Sequence, residues 1–394
     1  MEFVAVSFYG KNYPIANAEL AFLNRKIWIS PLKLPPLELM TGHEMTLYTV
    51  VMAGGRGERF WPLSTSKLPK PFIPLLGSTS LLQDTVARMQ PLVPLDRILI
   101  SIGAEHEEIA RQQLPLVPAE NFIIEPIGRD TSACLGFCAI HLEQRDPDAV
   151  MLALPADHFI GNADAYLKTI QTGIESLEGA TGVVFGITPT RAETGYGYIL
   201  AEKPAIGTGS WPVVRFIEKP DAPTAERYMA SGNYFWNSGM FLWSNRTLLA
   251  LFQKYMPETY KGLCELRLLL GQTADKAKIG EVFASLPRIS IDYGIMEKAS
   301  GLRLVPAQFV WDDIGNWASL ERALTPDGFG NIAQGPHVSL DSSGCIVYAQ
   351  SGTVATFGVS DLVVVQAYGK VLVCSKDKAA DLKRLVTALG PQEG

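Results

Sequence analysis

The stretch VVMAGGRGERFWPLSTSKLPKPF, residues 50–72, joins a short apolar run to two adjacent glycines and a basic segment. Gly54 and Gly55 lack a Cβ atom, so backbone N–H groups there can approach an anion closely. Arg59 and Lys70 follow, and they could neutralise phosphate oxygens, the arginine in a bidentate manner. The stretch therefore predicts a polyphosphate-binding loop just beyond a strand. The alternative is a turn with solvated charges.

The local charge of this segment is opposite to that of the chain. The chain has 394 residues and a formal net charge of −6, which disfavours a general nucleic-acid binder. From Gly54 to Lys70, four cations stand against one carboxylate: Arg56, Arg59, Lys67 and Lys70 against Glu58. Two familiar phosphate loops do not match, because GGRGER lacks the GxGxxG spacing and no GK pair follows. We expect a small anionic ligand bound by a different loop.

Outward from this loop, apolar runs alternate with amphipathic segments. Residues 48–53, 97–103, 149–157 and 182–187 are short and apolar on both faces, which predicts buried strands. Residues 80–92 and 130–144 have helical spacing, and Asp130 or Thr131 could cap the second helix. The alternation predicts a doubly wound α/β fold, in which ligands bind beyond the carboxyl ends of the strands.

The sequence divides into three parts. Residues 1–44 are broken by prolines, and we interpret them as a poorly packed extension or as sequence upstream of a start at Met45. Residues 45–328 form the predicted α/β domain. From about Gly330 short strand-like runs follow one another without helices, so residues 329–394 are predicted to form a small all-β module. A final amphipathic helix ends at Gly390.

Cysteine usage and hydropathy bear on the compartment. Five cysteines without a CxxC pair favour reduced thiols, and Cys134 and Cys138 are expected to be core residues on one helix face. No apolar run is long enough to span a membrane, and the N-terminus lacks the features of a signal peptide. We expect a cytoplasmic protein with no membrane or nucleic-acid partner.

Two aspartates are candidate metal ligands. Asp157 ends a strand in LPADHFI, residues 154–160, where a carboxylate can hold Mg²⁺ together with phosphate oxygens. Asp313 in FVWDDIGNW, residues 309–317, is the best candidate for the second ligand. Alternatively, Asp157 is a helix N-cap and Asp313 a turn residue.

Other polar residues are candidate ligand contacts. Asn237 in YFWNSGMF, residues 234–241, is an amide among aromatic residues, and a buried amide needs hydrogen-bond partners such as sugar hydroxyls. Tyr196 and Gly197 in TGYGYI would let a sugar approach the backbone. Glu218 and Lys219 in FIEKP stand at a strand end, where an edge-strand salt bridge is the alternative. The neighbouring aromatic residues are expected in the core: Phe235, Trp236, Phe241 and Trp243.

Together with EPIGRDTSA, residues 125–133, and SIDYGIMEK, residues 290–298, these motifs resemble those of the sugar-nucleotide pyrophosphorylases from about residue 47 onward. The nearest resemblance is to the mannose-1-phosphate guanylyltransferases, whose loop reads roughly GGxGxRLWPLSR and then PKQF. Phe60 replaces a leucine of that pattern and Pro71 a glutamine. After the arginine, Asp-Thr-Ser-Ala-Cys stands in place of Asn-Thr-Ala-Pro-Ala, which leaves the base contacts open; Asp130 could accept from guanine N1–H and N2–H₂.

The resemblance implies roles for individual residues. Arg59, Lys70 and Lys219 would be catalytic cations. Asp157 and Asp313 would bind Mg²⁺. The nucleotide would lie against the glycine-rich loop and the EPIGRDTSA motif, at Ala53, Gly54, Gly55, Gly57, Arg129, Asp130 and Thr131. The sugar phosphate would contact Tyr196, Gly197, Glu218, Lys219 and Asn237.

The resemblance also implies a fold and an activity. A Rossmann-like nucleotidyltransferase domain with a mixed sheet would precede a short left-handed β-helix that takes part in a homodimer. The expected reaction transfers GMP from GTP to α-D-mannose 1-phosphate and releases pyrophosphate. Some relatives carry a further isomerase domain, and here we expect the guanylyltransferase activity alone.

Two alternatives to this reaction stay open. The first keeps the chemistry but uses another hexose or heptose 1-phosphate, or another NTP. The second is a catalytically silent regulatory relative, which would be expected to lose the loop cations or the acidic metal ligands. Those residues are present here.

Overall fold

The computed structural model describes residues 45–55, 58–204, 209–271 and 275–390. The prediction for residues 1–44 and the nucleotide-binding role of Gly57 lie outside the described residues.

The α/β part begins at the first predicted strand. Its strands are β1 Leu47–Met52, β2 Ile98–Gly103, β3 Phe122–Glu125, β4 Val150–Pro155, β5 Phe159–Ile160, β6 Gly182–Ile187, β7 Tyr198–Ala201, β8 Trp211–Ile217, β9 Tyr234–Ser244, β10 Leu302–Pro306 and β11 Trp311–Asp312. Its helices are α1 Leu81–Met89, α2 Glu107–Gln113, α3 Asp130–Arg145, α4 Ala163–Glu175, α5 Ala222–Ser231, α6 Asn245–Tyr255, α7 Pro257–Leu270 and α8 Lys276–Ser285. A π-helical turn spans Asp292–Met296.

Nine of these strands form one mixed sheet in the order β3-β2-β1-β4-β9-β6-β10-β8-β7. Strands β3, β2, β1 and β4 are parallel, and β9 lies antiparallel between β4 and β6. Apolar cores cover both faces, since neighbours such as Val50 and Val51 belong to different clusters. The predicted α/β fold with a mixed sheet is therefore confirmed.

Helix α3 carries two of the predicted core cysteines. Cys134 and Cys138 are buried, and all five cysteines are free thiols. The predicted cap by Asp130 or Thr131 is wrong. Asp130 is the first helical residue, with φ +72°, and its carboxylate accepts only from the next N–H group, that of Thr131.

The C-terminal part is built of parallel rungs, which confirms a β-helix-like module. Its elements are β12 Ile332–Gln334, β13 His337–Leu340, β14 Ile346–Ala349, β15 Val354–Phe357, β16 Leu362–Ala367, β17 Lys370–Ser375 and α9 Leu382–Leu389. Strands β12, β14 and β16 pair in parallel, as do β13 and β15, whereas β17 pairs antiparallel with β16. No helix in the described part of the chain could cross a membrane.

Candidate active site

The glycine-rich loop follows the carboxyl end of β1, which lies between β2 and β4 in the sheet. The Ala53 N–H donates to the Ser101 carbonyl on β2 at 2.8 Å, so this amide is already used by the fold. Gly54 and Gly55 are exposed, and no atom of the described residues other than their chain neighbours lies within 4 Å of where their Cβ atoms would stand. Gly55 has φ +106°, which favours glycine. Open backbone is thus available to a ligand here.

Lys70 is the centre of a first cluster of charged residues. Its ammonium is buried and donates to Asp157 Oδ2 at 2.9 Å and to the Asp313 carbonyl oxygen at 2.5 Å. Burial alone would raise the pKa of the Asp157 carboxyl, but the Lys70 charge and hydrogen bond outweigh burial and hold this pKa below its ordinary value. Asp157 is therefore an anion at neutral pH.

A short antiparallel pairing explains why the two aspartates meet. Strands β5 and β11 pair with Asp312 opposite Phe159, so the residues that flank them, Asp157 and Asp313, come to the same end. Arg59 reaches this end too. A Cβ atom placed on Gly315 would lie 3.7 Å from Arg59 Nη1 and 3.4 Å from each carboxylate oxygen of Asp313.

Tyr196 completes this cluster. Its hydroxyl donates to Asp313 Oδ1 at 2.7 Å and accepts from Arg191 Nη2 at 3.2 Å. The adjacent Asp312 pairs with Arg322 at 2.5 and 3.1 Å, and its Oδ2 lies 3.9 Å from Arg191 Nη2. We call Arg59, Lys70, Asp157, Tyr196 and Asp313 the Lys70 group.

A second cluster lies where β7, β8 and β9 adjoin. Tyr198 is opposite both Ile217 and Trp236, so the residues beside them, Gly197, Glu218 and Asn237, come together. A Cβ atom on Gly197 would stand 2.4 Å from Glu218 Oε2 and 3.4 Å from the Asn237 Cβ.

Two hydrogen bonds and one buried oxygen without a partner among the described residues characterise this second cluster. Lys219 donates to Glu218 Oε1 at 2.6 Å, and Asn237 Nδ2 donates to Asp292 Oδ1 at 2.8 Å. Glu218 Oε2 is buried without a hydrogen-bond partner. We call Gly197, Glu218, Lys219, Asn237 and Asp292 the Glu218 group.

A cavity of about 640 Å³ opens beside the Glu218 group. It is lined by Asp130, Thr131, Glu218, Lys219, Arg288, Ile289, Ser290, Asp292 and Tyr293. Two residues predicted for the nucleotide thus share a cavity with two predicted for the sugar phosphate. Burial and the nearby Glu218 carboxylate raise the pKa of Asp292 to about 6.

Two family models together match most of the chain. Residues 48–327 match the family described as "Nucleotidyl transferase", and residues 335–389 match "MannoseP isomerase/GMP-like beta-helix domain". The "Mannose-1-phosphate guanylyltransferase" of Escherichia coli K12 is 36% identical over 348 residues, which cover 86% of this chain and 73% of that protein. The chain belongs to the mannose-1-phosphate guanylyltransferases.

Other relatives of these guanylyltransferases agree with this placement. The "Xanthan biosynthesis protein XanB" of Xanthomonas campestris pv. campestris is 37% identical, over 86% of this chain and 72% of that protein. A crystal structure from Thermus thermophilus, described as a "mannose-1-phosphate geranyltransferase", is 41% identical with a TM-score of 0.80. It covers 88% of this chain and 99% of that one.

In this guanylyltransferase the side chains of two predicted nucleotide contacts are engaged within the protein. Arg129 Nη2 donates to the Ala284 carbonyl oxygen at the end of α8. Thr131 Oγ1 accepts from the Ile291 N–H at 2.9 Å. Their roles toward a nucleotide stay predictions. The aromatic side chains around Asn237 are buried, as expected.

The carboxylates of the Lys70 group suit a hard divalent cation in their chemistry. Asp157 and Asp313 supply oxygen donors, which Mg²⁺ prefers. The described residues contain no group of three or more His, Cys, Asp or Glu side chains that could hold a metal. A cation bound by these two carboxylates would thus need further oxygen ligands, such as phosphates. The donor set fits Mg²⁺ held jointly by protein and substrate.

Sequence reasoning gave no role to several residues in these clusters. Asp292 lies inside SIDYGIMEK, and its place in that motif was the available signal. Arg191 lies just before TGYGYI, and its contact with Tyr196 follows from the β6–β7 connection. Tyr293 lies in the same motif as Asp292, whereas Arg288 reaches the cavity from just before that motif, where no pattern marks it.

Proposed function

We propose that the protein transfers GMP from GTP to α-D-mannose 1-phosphate, giving GDP-mannose and pyrophosphate. The observation that carries this proposal is the Lys70 group, where a buried ammonium joins two aspartates beside Arg59 and an open glycine loop. The name of the Escherichia coli relative supports the choice of substrates.

The chemistry is an in-line displacement. A phosphate oxygen of mannose 1-phosphate bonds to the α-phosphorus of GTP. The bond from that phosphorus to the oxygen bridging to the β-phosphorus breaks, and pyrophosphate leaves with the electron pair. The nucleophile is already an anion, so no strong general base is needed. Positioning and charge stabilisation are what the protein must supply.

The glycine loop and the Lys70 group would hold the triphosphate. The amides around Gly54 and Gly55 and the Arg59 guanidinium would bind the β- and γ-phosphates. Lys70 would stand near the reacting phosphates, since its ammonium already faces the Asp157 carboxylate. These cations reduce the repulsion between two negatively charged substrates.

The Glu218 group would hold the sugar phosphate. Lys219 would bind the attacking phosphate, because its side chain is more than half exposed at the cavity. Glu218 Oε2 has no partner, so a sugar hydroxyl would satisfy it. Asn237, fixed by Asp292, would offer a second contact. Gly197 leaves room for the Glu218 carboxylate to stand beside Asn237.

A divalent cation belongs to this proposal. Nucleotidyl transferases generally use a divalent metal, and we propose that Asp157 and Asp313 hold Mg²⁺. Bound there, the cation would offset negative charge near the α-phosphate. Asp157 keeps its ionised form for this role because of Lys70.

The nucleotide would contact two segments of the chain. Ala53, Gly54 and Gly55 would face the phosphates, while residues 129–131 would lie toward base or ribose. Asp130 shares the cavity with Glu218 and Lys219, so we place it at the boundary between nucleotide and sugar.

We also propose a homodimer formed through the C-terminal module. Apolar side chains are exposed on its strands β13 and β15, with Val338 and Leu340 each 59% and Phe357 71% exposed. Light scattering should give twice the chain mass; a monomer mass would contradict the dimer.

The activity is tested with purified protein, Mg²⁺, each common NTP and each of several hexose 1-phosphates. The release of pyrophosphate is followed, and the sugar nucleotide is identified by mass. We expect turnover to be highest with GTP and mannose 1-phosphate. A clear preference for another pair would assign a different specificity, and no turnover with any pair would overturn the proposal.

A further inference from the structure

We propose that Tyr196, held in place by Arg191, is a positioning residue that fixes the orientation of the Asp313 carboxylate. The inference rests on the proposed function, because Asp313 is taken there as a ligand of the divalent cation. The sequence suggested a different role for Tyr196, as a residue beside the sugar. The contacts of its hydroxyl point to Asp313 instead.

The Tyr196 hydroxyl can make only one donated hydrogen bond. It lies 2.7 Å from Asp313 Oδ1, which can only accept when ionised, and 3.2 Å from Arg191 Nη2, which can only donate. The phenol proton must therefore point at Asp313.

Arg191 is itself immobilised on several sides. Its Nε donates to Glu193 Oε2 at 3.0 Å, and its guanidinium carbon lies 4.8 Å from the centre of the Trp236 ring. Its Nη2 is also 3.9 Å from Asp312 Oδ2. A guanidinium held by a carboxylate and an aromatic ring has little rotamer freedom left. Arg191 therefore gives the Tyr196 hydroxyl a fixed neighbour.

Asp313 is consequently held at two atoms. Lys70 donates to its backbone carbonyl, and Tyr196 donates to Oδ1. Among the described residues, no hydrogen bond reaches Oδ2 of Asp313. This oxygen is left to face a ligand. Residues that orient a ligating carboxylate in this way typically change metal affinity or activity by about 10–100-fold when mutated.

The ring of Tyr196 makes its own contribution to this orientation. It packs edge-on against Trp236 and Trp311, with ring centres 5.3 Å apart in each case. A Tyr196→Phe change keeps these contacts and removes only the hydroxyl. The variant therefore separates the hydrogen bond to Asp313 from the packing of the core.

The test compares the wild-type protein with Tyr196→Phe and with Tyr228→Phe as the matched control. Tyr228 stacks on Tyr234 at 3.9 Å and lies outside both groups. Steady-state kinetics give kcat and both KM values. Electron paramagnetic resonance gives the affinity for Mn²⁺ with GTP present and mannose 1-phosphate absent, so no turnover is needed.

We expect Tyr196→Phe to lower kcat and to weaken Mn²⁺ binding, each by about tenfold or more, while KM for mannose 1-phosphate changes by less than about twofold. The control should match the wild type. A raised KM for mannose 1-phosphate with unchanged Mn²⁺ affinity would make the hydroxyl a sugar contact and overturn the inference, as would unchanged values throughout. If the wild type forms no GDP-mannose, the proposed function fails, whereas the two Mn²⁺ affinities still decide the role of Tyr196.

Discussion

The Lys70 ammonium connects two loops that are distant in the sequence. Its partners are 87 residues away at Asp157 and 243 residues away at Asp313. Removing one member of a buried charge pair is costly, because the remaining charge loses its compensation. Lys70 therefore stabilises the Asp157 carboxylate and holds the Asp313 backbone before any substrate binds, and it would supply positive charge to bound phosphates.

Lys70→Met tests this double role. We expect turnover to fall by about 100-fold or more, since a donor aimed at developing charge is lost, and the pKa of Asp157 to rise because Lys70 no longer opposes burial. Pyrophosphate release measures the first effect. The matched control is Lys67→Met, an exposed cation three residues earlier in the same segment. Equal activity of the two variants would contradict the role of Lys70.

Asp292 gives a pH-dependent prediction. Its pKa is about 6 in the folded protein, against about 3.9 in an unfolded chain. The folded state thus holds the proton more tightly, and the stability this contributes is lost as pH rises through about 6. In the Asp292→Asn variant the side chain at this position is uncharged at every pH. The charged neighbours Glu218 and Lys219 are the same in both proteins. The free energy of unfolding of Asp292→Asn minus that of the wild type should therefore increase between about pH 4.5 and about pH 7.5. The expected increase is on the order of 1 kcal/mol.

Urea unfolding at the two pH values measures this difference. A difference that is constant, or that decreases toward high pH, would show that Asp292 does not titrate as described.

Individual side chains could be predicted from the sequence where a motif marks them. Asp157, Asp313, Glu218 and Asn237 were selected in this way, and they lie in the two groups. Arg191 was not, because its function depends on contacts with residues from three separate strands and loops. Such contacts follow from the register of the sheet, which local periodicity does not encode.

At the scale of elements, the Glu218 group depends on close contact between β7, β8 and β9. Strand β7 pairs with both of the others, and Gly197 directly precedes it. The Asn237 N–H donates to the Gly197 carbonyl oxygen at 2.8 Å. The absence of a side chain at this position is therefore what lets Glu218 approach.

Gly197→Ala tests this packing. The new Cβ atom would stand 2.4 Å from Glu218 Oε2, so the end of the flexible glutamate must move while the backbone stays. We expect KM for mannose 1-phosphate to rise by about tenfold, because Glu218 leaves its place, with a small change in melting temperature. The matched control is Gly77→Ala, where nothing lies within 4 Å of the new atom. A KM equal to that of the control would contradict a sugar-binding role for this corner.

The elements themselves were predictable to different degrees. Strands β1, β2, β4 and β6 follow from their apolar runs, because burial on both faces leaves a local pattern. The position of β9 between β4 and β6 does not follow from a local pattern. It depends on the antiparallel pairing of β9 with β4, which is about 90 residues earlier in the chain. Its long run of aromatic residues indicates burial but not neighbours.

At the scale of the molecule, one hydrophobic cluster joins the segment after the glycine-rich loop to the C-terminal module. It contains Phe60, next to Arg59, and Trp317, close to Asp313, together with Ile346 and Val363 of the small sheet. Trp317 also donates to the Trp61 carbonyl oxygen at 3.1 Å. The module thus supports the segments that carry Arg59 and Asp313.

Ile346→Ala tests this support. Ile346 is 1% exposed, and removing such a side chain costs about 2–5 kcal/mol of unfolding free energy. Urea unfolding should show this loss. Val371 on β17 is 62% exposed and provides the control, since Val371→Ala should change the free energy by about 0.5 kcal/mol or less. Similar stabilities for both variants would contradict a shared core.

The central claim is that the Lys70 group and the Glu218 group bind one product between them. The most direct measurement is a crystal structure of the protein with GDP-mannose and Mg²⁺. We predict the mannose ring on Glu218 and Asn237, and the diphosphate between Lys219 and the end where Lys70, Asp157 and Asp313 meet. GDP-mannose bound away from either group would contradict the account.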